Sequence, residues 1–270
     1  MISSILLQNY KNFPEYQTKV LTLHPKNKSM LLPTMSTDEK AFEAFRIKNF
    51  AHEWARQLHD ENEDKVRRAV KFPYKFSVTK KDDYGNTWIV KMVYANKTQW
   101  KQRIAHYWCY TTYRITKRDK TGNPHYDTNT GPGIIAFDPT VTKNEKFLAV
   151  DIVPHCINQY RKRHLEPLGR QDITLDAVID SIMLRWKHFD VAEEHAMEKH
   201  DDKGLLPYNI IMQGGGQLLG NLSTPVTLIL FTYVSPDMMF EDQLERQQCM
   251  MTEWSSWQAN GIYTEKMKEK

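Results

Sequence analysis

The chain has 270 residues with a formal net charge of +4, is 40% hydrophobic and 11% aromatic, and holds three cysteines. That aromatic content excludes a disordered chain, and the length allows a sizeable core. The mild basic excess permits a nucleic-acid partner without demanding one, and three scattered cysteines (Cys109, Cys156, Cys249) exclude a disulfide framework and point to a reducing compartment.

The opening MISSILLQNYKNFPEY lacks the basic start and apolar run of a signal peptide. No stretch approaches the ~20 consecutive apolar residues that cross a bilayer. A cytoplasmic protein without membrane contact is therefore expected.

Residues 1–34 read as irregular, broken by Pro14, Pro25 and Pro33. Ser36 stands three before Glu39, a capping-box spacing, and opens a helix predicted from about 37 to the high 60s, with a break near His59-Asp60. Its stripe Phe42, Phe45, Phe50, Trp54, Leu58 reads as core packing. Residues 1–70 are expected to be an extension packed on a main domain, 71–270.

YKFSV and WIVKMVYA alternate around the turn residues KKDDYGNT and predict a β-hairpin. The segment TQWKQRIAHYWCYTTYRIT becomes β-rich towards its end, RDKTGNPHYDTNTGPG reads as a loop, and GIIAFDP and KFLAVDIV read as strands. A short helix is expected over 155–164, and a second over ITLDAVIDSIMLRWKHF, with Trp186 and Phe189 on its apolar face and a polar continuation through DVAEEHAMEKH. YNIIMQGGGQLLGNL predicts strand, glycine turn, strand; VTLILFTYVS predicts a strand; and a terminal helix is expected to be capped by Asp237. Hairpins rather than βαβ units give an α+β class with a mainly antiparallel sheet.

Nothing else in the chain is as dense in usable chemistry as VDIVPHCINQYRKRH, residues 150–164. At ~100° per residue, Ile157, Tyr160 and His164 fall on one side, to be buried. His155, Gln159, Lys162 and Arg163 fall on the other, and Arg161 lies beside the apolar group. An imidazole can exchange protons near neutral pH, and an arginine can stabilise charge on phosphate, which is what metal-free RNA cleavage needs. A solvated amphipathic helix with a neutral histidine near its start fits the same residues.

His155-x-x-x-Gln159-Tyr160-x-x-Arg163, followed by a helix, a hairpin and a strand ending in Thr232-Tyr233, resembles the small bacterial RelE/BrnT-type toxin-like ribonucleases and their uncharacterised relatives. The resemblance covers residues 146–237. Gln159 stands where those relatives usually carry arginine, the insert around 188–204 is extra, and the toxins are much smaller. The resemblance implies that His155 and Arg163 are catalytic and that Arg161 contacts the phosphate backbone. It implies that Tyr160 or Tyr233 lies near a base, while Gln159 and Lys162 are binding candidates by their place on the open edge of the helix. It implies RNA as substrate and an antitoxin or other protein as partner. No cofactor and no metal are expected. The alternative is a non-catalytic structural or interaction protein of a mobile element or phage.

Three other features are weaker. His188, Glu193, Glu194, His195, Glu198 and His200 could ligate a metal on a helix, but His195 and His200 splay by ~140° at 100° per residue, and a solvated charged helix fits as well. Gly214–Gly216 lacks the Lys-Ser/Thr and following helix of a phosphate loop and reads as a hairpin turn. His106 and Cys109 would point to opposite faces of a strand, though on a helix they could share one, and the aromatics around them, with Arg103 and Arg114, fit base stacking or, better, core packing.

Overall fold

The protein is described from a computed structural model, over residues 39–40, 46–101, 106–114, 116–118, 124–126, 131–137, 149–190, 206–212, 215–224, 227–245, 247–249 and 252. The irregular segment 1–34, Ser36 of the capping box, the charged stretch 191–200 and most of the long polar loop fall outside these residues.

Helix α1 (Lys48–Arg68) runs unbroken through His59-Asp60. A break was expected there; instead the buried His59 ring shares a hydrogen bond with the Tyr94 hydroxyl, so the helix gains a tertiary anchor at that point. The hairpin β1 (Tyr74–Lys81) and β2 (Thr87–Tyr94) follows as expected. Its turn is organised by buried Asp82, whose carboxylate accepts from the Tyr84 and Asn86 backbone amides, the Asn86 side chain and the Trp88 indole. Such side-chain acceptance from backbone amides two and four residues on is why aspartate initiates turns.

A short helix α2 (Lys97–Lys101) leads to β3 (His106–Arg114). Strand β4 (Thr116–Arg118), at the start of the stretch read as a loop, and β5 (Pro124–Tyr126), within it, form a separate two-stranded ribbon. Strands β6 (Pro132–Phe137) and β7 (Ala149–Ile152) precede α3 (Pro154–Tyr160), a π-helical turn over Arg161–Leu165, a 3-10 turn over Glu166–Leu168 and α4 (Leu175–Arg185).

The chain then departs from the expected pattern. Trp186–Asp190 is a strand, β8, rather than the end of α4, and it pairs antiparallel with β9 (Leu206–Met212). Partnering across the sheet overrides a helical periodicity that ran on to Phe189. Strands β10 (Gln217–Thr224) and β11 (Thr227–Val234) complete a nine-stranded sheet in the order β1-β2-β3-β6-β7-β11-β10-β9-β8. All neighbours are antiparallel except β7 and β11, which are parallel. The class is α+β. At the end of β11 the expected cap does not form: Pro236–Met238 is a 3-10 turn with no side-chain cap, and helical residues resume at 241.

Strand alternation divides the core. One face of the sheet carries Val93, Trp108, Tyr110, Ile134, Val150, Ile152, Leu228 and Leu230, and is covered by α3 and α4 through Ile157, Tyr160, Val178, Ile179 and Ile182. The other carries Trp88, Val90, Cys109, Tyr113, Ile135 and Phe137 against Ile47, Ala51 and Trp54. His106 and Cys109 both lie in β3, three positions apart, and Cys109 is a core residue. A register shift sets Leu219 opposite Thr232 and Gly220 opposite Leu230, leaving Phe231 as the extra, exposed residue. This bulge reverses the alternation, so Tyr233 faces the same core as Leu230. The Tyr233 ring lies where a side chain at Gly216 would begin: a Cβ there would collide with its ring and hydroxyl. Gly216 thus serves close packing, and Met212 N–H donates to Gly216 C=O at 2.8 Å just before β10.

Candidate functional site

Strand β7 delivers the chain to the surface between β6 and β11, and Val153 N–H still donates to Leu230 C=O at 3.2 Å. Pro154 occupies the first helical turn, where its missing N–H costs nothing. Ile157 and Tyr160 are buried and His164 is half-buried, while His155 and Lys162 are exposed and Gln159 and Arg163 half-buried. The division into a buried and an open edge follows the helical spacing as far as Tyr160. From Arg161 the turn is π-helical, which changes the angle between successive side chains and redirects the basic residues.

The consequence is visible in the arginines. Arg161 Nη2 donates to Ile173 C=O at 2.7 Å, and Arg163 Nη1 donates to Tyr233 C=O at 2.6 Å. Each guanidinium ties the helix to a neighbouring segment. Tyr160 and Tyr233, expected beside a base, are fully buried instead. They form an aromatic trio with His164: Tyr160 and Tyr233 meet edge to face at 5.0 Å, and the His164 ring stacks on Tyr160 at 4.9 Å. Tyr160 shares a hydrogen bond of 2.9 Å with Ser181, and Tyr233 one of 3.3 Å with His164 Nδ1. The bulge and the helical stripe both draw these rings inward. His155 and Arg163 stand eight positions apart, about 12 Å along the axis at ~1.5 Å per residue.

A second constellation lies under α4. Lys91 stands on the inward phase of β2, between Ile89 and Val93, and its side chain is 8% exposed. Its ammonium pairs with Asp176 and lies 3.6 Å from Asp180 Oδ1. The two aspartates are one helical turn apart. Tyr110, on the neighbouring strand, donates to the other Asp176 oxygen. Burial would raise Asp176, but hydrogen bonds from Lys91 and Tyr110 outweigh it and hold the carboxyl below its usual range. Burial pushes Asp180 up, against the pull of Lys91 and with the repulsion of Asp176. Burial, and the bond to Asp176, push the Tyr110 hydroxyl up, so it remains a donor. The sequence reading missed this cluster, although a lysine at an inward strand position is a signal that an acid must come to meet it.

A third polar group sits on the opposite face. Buried Asp151 accepts from Tyr113 and pairs with Lys40 at 3.3 Å, and the Lys40 ammonium lies 3.7 Å above the Tyr113 ring. Cys156 is buried and its thiol pushed up by burial, which makes it inert. The expected ligands Glu193, Glu194, His195, Glu198 and His200 lie outside the described residues, and His188 falls in β8 rather than on a helix. Among the described residues no three side chains of metal-ligating type gather, and no helix is long and apolar enough to cross a membrane.

No protein-family model, curated protein or solved structure matches the chain.

Proposed function

We propose that the protein binds RNA without cleaving it, and that the open edge of α3 and the following turn is one contact surface. The observation that carries this is the stripe His155, Gln159, Lys162 at spacings of four and three residues, none of them buried. It presents an imidazole, an amide and an ammonium along about 10 Å of helix. Those are donors suited to phosphate and sugar oxygens. The resemblance of this segment to RelE/BrnT-type ribonucleases supports the choice of RNA over DNA. The arginines of the same segment support a binding rather than a cleaving role, because their donors hold backbone carbonyls and His155 stands apart from Arg163.

The test is fluorescence anisotropy with a short single-stranded RNA over a series of salt concentrations. His155→Ala/Lys162→Ala should weaken binding severalfold and flatten the slope of log K against log salt by about 0.7 for the lost lysine. The RNA should be recovered intact. Cleavage that His155→Ala abolishes would restore the ribonuclease reading. Absence of any binding by the wild-type chain would sink the proposal and favour a structural or protein-interaction role.

A further inference from the structure

We draw no further inference here: the strongest candidate, the open concavity of the loop over residues 169–173 between the 3-10 turn and α4, is lined by consecutive, mostly exposed loop residues, and nothing in the structure shows what would occupy it.

Discussion

Lys91 is inside the protein only because acids reach it. An ammonium at 8% side-chain exposure among Ile89, Val93 and Tyr110 is costly unless paired. Asp176 supplies the pairing and also takes the Tyr110 hydroxyl, so its loss strands two donors at once. Asp176 is itself nearly half exposed, which moderates the effect. Asp176→Asn is expected to destabilise by about 1–2 kcal/mol at neutral pH, read by urea unfolding. The two aspartates also make opposite contributions to the pH dependence of stability. The folded-state value of Asp176 is depressed, so its contribution is present above the ordinary aspartate value of 3.8 and is lost as pH falls through the lower folded value. That of Asp180 is raised, so the folded chain binds the proton more tightly, and stability declines as pH rises from 3.8 through the raised value. Unfolding free energies measured over this acidic range should show that decline in the wild type and not in Asp180→Asn. A decline that survives in the variant would place its origin elsewhere.

The π-helical turn after α3 decides what the basic segment can do. A regular helix through His164 would leave Arg163 on the open edge with His155, which is what the spacing predicts. The π turn instead directs its guanidinium to the carbonyl of Tyr233 at the end of β11, 70 residues away in the chain. Arg163→Ala should therefore behave as a structural lesion. The lost charged hydrogen bond and the carbonyl left behind amount to about 1–3 kcal/mol, seen as a lowered thermal midpoint. Lys162→Ala, one residue earlier but exposed, should leave the midpoint unchanged. Equal midpoints for the two variants would mean that the Arg163 bond contributes nothing. The buried edge Ile157–Tyr160 was legible because it obeys a plain 3.6-residue period. The fate of Arg163 was not, because a π turn has no signature in local composition and its partner arrives from the far end of the fold. The burial of Tyr233 was not legible for a related reason. The bulge at Phe231 shifts the strand phase by one, and only the pairing with β10 reveals it. Trp186–Asp190 likewise continued a helical pattern and became a strand once β9 was available to pair with it.

At the scale of the whole molecule, the hairpins β1–β2 and β9–β10 and the strands β6, β7 and β11 were readable from alternation and turn chemistry, and so was the α+β class. Strand order was not. The parallel contact of β7 with β11 joins segments separated by more than 70 residues and places β7, buried along its whole length, at the centre of the sheet. Asp151 lies in that strand. It is 1% exposed, flanked by Val150 and Ile152 of the opposite face, and meets Lys40 and Tyr113 on the side of α1. Burial, and then the Asp151 charge, push the Tyr113 hydroxyl up, so it stays protonated and donates at any physiological pH. Lys40 precedes α1, so the pair ties the N-terminal helical region to the middle of the sheet. Removing the cation alone strands a carboxylate in the interior, and Lys40→Ala is expected to destabilise by about 3 kcal/mol in urea unfolding. Replacing both charges, as Lys40→Met/Asp151→Asn, should recover most of that loss, because the cost lies in the unpaired charge more than in the absent attraction. If Lys40→Ala costs less than about 1 kcal/mol, the pair does not anchor that region to the sheet, and the apolar contacts of Ile47, Ala51 and Trp54 hold it alone.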